Sequence, residues 1–143
     1  APPADVLVNF GALNAREILE QHEAKHARFG TAPFDPSGEV FRLYPGGVTI
    51  WSGFPGAGKT TLLRQFVCHL LHSGRSVFMA SLEEDPQDVL VRLASTAWGV
   101  QYPSADQLQW FIDLYCERLR LWGVIGIAKH AELLACIRRL GVD

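Results

Sequence analysis

Apolar and polar positions along the chain fall into blocks with two different periods. Val48-Thr49-Ile50-Trp51 and Ser76-Val77-Phe78-Met79-Ala80 are short and apolar nearly throughout, which suits strands buried on both faces of a parallel sheet. Leu119-Arg120-Leu121-Trp122 alternates and predicts a third strand. The stretch from about Lys59 to Ser73 has helical spacing instead. It puts Leu62, Leu63, Phe66, Val67, Leu70 and Leu71 on its apolar side, and Gly74 falls where a left-handed residue closes a helix. Asp85-Pro86-Gln87-Asp88 opens a second helix, with Asp85 as cap and Pro86 at the first position, where no N–H is needed. Ser104, with Gln107 three residues on, opens a third helix carrying Leu108, Phe111, Ile112 and Tyr115 on one face. Ala128 to Leu140 predicts a last helix, with Leu133, Leu134, Ile137 and Leu140 apolar and Gly141 closing it.

The first part of the chain is built differently. Residues 1–13 hold a short apolar stretch (Val6, Leu7, Val8, Phe10) closed by Gly11, and 14–29 read as a helix with Asn14 as N-cap. Only Ile18 and Leu19 form its apolar side, so this helix is either exposed or packed on a partner. Gly30 to Gly38 is dense in turn residues. The expected organisation is therefore a linker segment over 1–38, with its helix and a Pro/Gly hinge, followed by the main domain over 39–143. The order β–loop–α–β–α–α–β–α predicts an α/β fold with a mostly parallel sheet.

Composition narrows the class. A chain of 143 residues with 48% hydrophobic positions supports one folded unit and excludes a disordered or collagen-like one. The net charge of −2 gives no sign of a basic nucleic-acid binder. Cys68, Cys116 and Cys136 are an odd number without paired spacing, which argues against a disulfide framework or zinc ribbon and for a reducing, cytoplasmic setting. The longest apolar run, Leu121 to Ala128, is far short of a membrane span, and no membrane partner is expected. The chain opens Ala1-Pro2-Pro3 without Met and stops at Val142-Asp143 without turn or tail, and it reads as a piece of something longer.

Among only three lysines against ten arginines, Lys59 sits in a glycine-rich loop. Gly53-Phe54-Pro55-Gly56-Ala57-Gly58-Lys59-Thr60 satisfies G-x-x-x-x-G-K-[ST] at every fixed position. Glycines let the backbone curl so that successive N–H groups point at a phosphate. The helix beginning near Lys59 adds its unpaired N–H groups and the positive end of its dipole. Lys59 reaches the β- and γ-phosphates, and the Thr60 hydroxyl is placed to hold Mg²⁺. With Thr61 following, Gly53 to Thr61 is the expected ATP-binding segment. The predicted strand before the loop and helix after it supply the context that a chance match lacks.

Ligand sites in parallel sheets gather beyond the carboxyl ends of the strands. Glu83 and Glu84 lie at that end of the 76–80 strand. A carboxylate there could orient, or take a proton from, a water attacking the γ-phosphate. Equally, acidic residues before a cap favour the dipole of the following helix, as Asp85 and Asp88 do. Position alone leaves both readings open.

Val48–Thr61 (V-T-I-W-S-G-F-P-G-A-G-K-T-T) and Ser76–Glu84 (S-V-F-M-A-S-L-E-E) together resemble the RecA-like core of replicative DNA helicases, the phage-type primase–helicases and their DnaB-like and Twinkle-like relatives. The P-G-G-V-T-I lead-in is also similar to that family's. More weakly, Ala4–Gln21 is similar to the stretch leaving a primase domain for a linker helix, and Ala128–Asp143 to the helix entering the Walker B strand. The resemblance implies an incomplete RecA-like fold, ATP with Mg²⁺, and Glu83 as the residue that activates water beside a catalytic Lys59. It also implies a homo-oligomeric ring, expected to be a hexamer, closed through the linker helix and the nucleotide interface. Single-stranded DNA would be held by regions outside this chain.

In RecA-like sheets, further strands lie between the phosphate-loop strand and the Glu83 strand. The Walker B aspartate, sensor strand, DNA loops and arginine finger of that family are not found here. Residues 1–143 alone are therefore expected to aggregate and not to turn over ATP. A RadA- or KaiC-like RecA-fold ATPase without helicase activity shares both motifs and is the nearest alternative. A small-molecule kinase would want an arginine-rich lid, and a non-catalytic nucleotide-binding module remains the third.

Other signals carry blander readings. His22-Glu23-Ala24-Lys25-His26 is a formal H-E-x-x-H, but no third ligand is placed for zinc. Cys68 is read as a small core residue with His69 and His72 on the surface, and Trp98 and Trp110 as core aromatics. Arg138-Arg139 favours its helix dipole.

Overall fold

In the computed structural model, residues 14–27, 29–123 and 130–140 are described. The apolar stretch read within 1–13, and Gly141, lie outside them. The elements are α1 (Ala15–Ala27), β1 (Gly30–Thr31), β2 (Arg42–Leu43), α2 (Lys59–His72), β3 (Val77–Met79), α3 (Pro86–Trp98), α4 (Ala105–Tyr115), β4 (Leu119–Leu121) and α5 (His130–Leu140).

Helix starts and stops follow their capping chemistry. Asn14 Oδ1 accepts from the Arg16 amide at 3.0 Å and opens α1. Asp85 accepts from the Gln87 amide at 2.9 Å with Pro86 at the first position of α3. Ser104 and Gln107 form a reciprocal capping box at α4, with bonds of 3.2 and 2.8 Å. Gly74, at φ 80°, turns the chain out of α2 in the left-handed region.

Helices α2, α3 and α4 bury one apolar cluster together with β4. Val67, Leu71, Val89, Leu93, Ala94, Phe111, Tyr115 and Leu119 form it, with Val77, Met79 and Leu121 of the sheet packed against it. β3 and β4 pair in parallel, Val77 opposite Leu119 and Met79 opposite Leu121. Two helices lie between them in sequence, as a parallel crossover requires. The parallel ladder of an α/β fold is therefore present, although β3 is half-buried rather than enclosed.

The strand expected over Val48–Trp51 does not form. The run has no ladder partner among the described residues, and Val48 and Ile50 are 88% and 86% exposed. Its composition suits burial on both faces, but a strand exists only where a neighbour takes up its N–H and C=O groups. β3 pairs with β4, leaving 48–51 unpaired.

The turn-rich segment after α1 forms a small antiparallel hairpin, Gly30 opposite Leu43 and Thr31 opposite Arg42. Asp35 closes its turn by accepting from the Val40 and Phe41 amides at 2.8 and 2.7 Å and from Ser37 Oγ at 3.0 Å. Gly38 is required there: its φ is 69°, and a Cβ would lie 2.7 Å from the Phe29 ring. The hairpin packs on α2 through Phe34 and Phe41, whose rings stand 5.7 and 5.9 Å from Phe66. The described side chains of α1 are exposed, Ile18 and Leu19 included.

Candidate nucleotide-binding site

The glycine-rich loop enters α2 in a curled conformation. Gly56 and Gly58 have φ of 77° and 82°, a region that other residues adopt only with strain. Between them the Ala57 amide donates back to the Phe54 carbonyl at 3.2 Å, a tight turn around Pro55-Gly56. Gly58 is the N-cap of α2 and offers no side chain to the helix, and no acidic residue occupies the first turn. The leading amides of α2 therefore keep their hydrogen-bonding capacity and positive dipole end for an anion.

Lys59 folds back over this loop. Its Nζ donates to the Gly53 and Phe54 carbonyls at 2.8 and 2.9 Å, so the ammonium is held at the mouth of the curl. Gly53 to Gly58, Thr60 and Thr61 are solvent-exposed. Positive charge, free amides and a hydroxyl thus gather on one exposed turn at the head of α2, a donor set that fits a phosphate chain with its magnesium ion.

Trp51 fixes the entry to the loop. Its ring lies 5.3 Å from Phe66 of α2 and 5.9 Å from Phe41 of the hairpin. Phe66 is buried, so these contacts tie the loop's stem to the same helix that the loop caps.

Glu83 and Glu84 sit in the turn after β3, at the carboxyl end of that strand. Glu83 is exposed. Glu84 takes Nη2 of Arg64 on both carboxylate oxygens, at 2.8 and 3.0 Å, and Nε of Arg92 at 3.6 Å. Arg64 lies one helical turn beyond Thr60 on α2, about 6 Å along the axis. The acidic turn is therefore attached to the phosphate-loop helix through Glu84. Arg64 and Arg92 belong to no motif in the sequence. Their only signal there is position, since Arg64 follows Thr60 at i+4.

Other expectations meet the structure in different ways. Cys68 packs against the core cluster, and burial pushes its thiol up to about 11. His72 is exposed, but His69 is not a plain surface residue: its Nε2 shares a 2.7 Å hydrogen bond with Thr31 Oγ1 and pins the hairpin to α2. Trp98 and Trp110 pack edge to face at 5.0 Å, yet both stay well exposed, so they cap the α3–α4 turn instead of filling the core. Among the described residues no group of three His, Cys, Asp or Glu could hold a metal, and His22 is exposed. No helix among them is long and apolar enough to cross a membrane.

A family model for the KaiC ATPase matches residues 39–137, which include the loop, the acidic turn and every core element described above. No curated protein and no solved structure matches the chain. The matched family is that of KaiC, so the likeness to replicative helicases gains from it only the RecA fold that the two share. A curled phosphate loop on α2, a parallel β3–β4 ladder and this match agree, and the chain belongs to the KaiC ATPase family of RecA-fold P-loop NTPases.

Proposed function

We propose that this chain binds ATP on Gly53 to Thr61 and supplies the carboxylate for its hydrolysis, as part of a ring-forming RecA-fold motor. The observation that carries the reading is the loop itself, with two left-handed glycines, an uncapped helix start and a lysine folded across the mouth. Backbone amides of the loop and first turn would hold the phosphates. Lys59 would exchange its two carbonyls for phosphate oxygens, and the Thr60 hydroxyl would hold Mg²⁺, whose chemistry there is to neutralise charge on the β- and γ-phosphates. Glu83 would orient the attacking water and take its proton as the bond from the γ-phosphorus to the bridging oxygen breaks and ADP leaves.

What the motor does is a finer question. The V-T-I-W-S-G-F-P-G-A-G-K-T-T and S-V-F-M-A-S-L-E-E stretches favour a DNA helicase, with α1 docking on the neighbouring subunit of a hexameric ring. The family match is equally consistent with a KaiC-like ATPase without unwinding. Strand-displacement assays on the full-length protein separate the two, because only a helicase couples ATP turnover to duplex opening.

Glu83→Gln in the full-length protein tests the chemistry. Nucleotide affinity should stay within about two-fold, while turnover falls by roughly 10²–10⁴-fold, the range for losing a general base. Unchanged hydrolysis would remove Glu83 from the mechanism. Loss of binding as well would mean that Glu83 shapes the site instead of acting in it.

A further inference from the structure

The two adjacent glutamates after β3 are held in opposite ways. Glu84 is half-buried, with both carboxylate oxygens on Arg64 and a second cation, Arg92, within reach. Glu83 is exposed and has no hydrogen bond or ion pair among the described residues. The Arg64 side chain is only 11% exposed, and its Nε is buried without a partner. Drawing a guanidinium this far out of water is costly, and Glu84 is the one anion that compensates it among the described residues. An exposed pair would serve to tether a surface loop at no such cost.

Arg64 stands on α2, a turn beyond Thr60, and α2 carries the phosphate loop at its start. Through Arg64 the acidic turn and the phosphate loop are mounted on one rigid helix. We propose that Arg64 is a positioning residue of the hydrolytic site: by gripping Glu84 it locks the 81–84 turn to the phosphate-loop helix, which leaves Glu83 as the carboxylate free to meet water. The two glutamates are then an anchor and a base, not interchangeable bases. This rests on the ATPase reading above and goes beyond it in dividing the work between neighbours.

Hydrogen exchange on the full-length protein, with and without ATPγS and Mg²⁺, tests it together with steady-state kinetics. In the unaltered protein the nucleotide should slow exchange over both 53–60 and 81–84. Arg64→Met should keep the slowing at 53–60 and lose it at 81–84. Its kcat should fall roughly 10–100-fold while KM stays within about two-fold, the mark of a misplaced group and not of lost binding. Arg64→Lys, which keeps the charge, should recover most of the rate. Should Arg64→Met fail to fold, Glu84→Gln, which keeps shape and an acceptor, should give the same kcat-only loss. The proposal is overturned if the variant retains nucleotide-dependent slowing at 81–84, or if kcat falls only as the folded fraction falls. If the nucleotide slows neither segment in the unaltered protein, the ATP-binding reading itself fails, and this inference with it.

Discussion

At the scale of single residues, what the sequence discloses depends on whether a role needs one residue type or a partner from elsewhere. Gly56, Gly58, Lys59 and Thr60 are legible because the curled loop demands those types at that spacing, and the two glycines do take positive φ. Arg64 and Glu84 are not legible, because an ion pair spanning twenty positions follows from packing and leaves no local pattern. His69 is misread for the same reason, its partner Thr31 being on a distant hairpin. Asp35 offers a test of hydrogen bonding on a single carboxylate. Amides of Phe41 and Val40, donating to its ionised form, hold its pKa at about 2 against an ordinary 3.8. A depressed folded value means that its contribution to stability is complete above pH 3.8 and disappears as the pH falls through about 2. Thermal melts between pH 5 and pH 2 should show this fall on top of other carboxylates. In Asp35→Asn, whose side chain cannot ionise, the Asp35 share of the slope should be missing, with a lower melting temperature already at pH 5.

At the scale of elements, the helices were legible almost to the residue and the strands only in part. Caps act locally, through a side chain and an amide two or three positions away, so Asp85, Ser104 and Gln107 announce their helices wherever the rest of the chain lies. A strand has no such self-sufficiency. Val48–Trp51 has the composition of a central strand and no ladder partner among the described residues, whereas Val77–Met79 pairs with Leu119–Leu121. Helix α4 gives the clearest element-level test. Ser104→Ala removes the cap acceptor and breaks the reciprocal bond with Gln107, which should cost about 1 kcal/mol, read as a shift in the denaturant midpoint at constant slope. Ser104→Asp, which restores an acceptor, should recover most of it.

At the scale of the whole molecule, the core is well placed but small. Phe111 is fully buried among α2, α3 and α4 neighbours, so Phe111→Ala should cost about 3–5 kcal/mol, a large part of the stability of any domain this size. Val48, Ile50 and Phe54 stand in contrast to it, each almost fully exposed. Light scattering of the 143-residue chain should show concentration-dependent association, and substituting Val48 and Ile50 by Thr should suppress it while leaving the helical signal in place.

The parallel β3–β4 ladder joins positions some forty residues apart, with two self-capped helices between them. Closing so long a loop must wait until those helices have docked, whereas α2 and the curl at its start can form from neighbouring residues alone. Pulse-labelled refolding should therefore find α2, α3 and α4 amides protected before those of Val77–Met79 and Leu119–Leu121. On this route the curl at the head of α2 is in place before the ladder that fixes the 81–84 turn, so under the proposed function capture of the nucleotide would precede any capacity to split it.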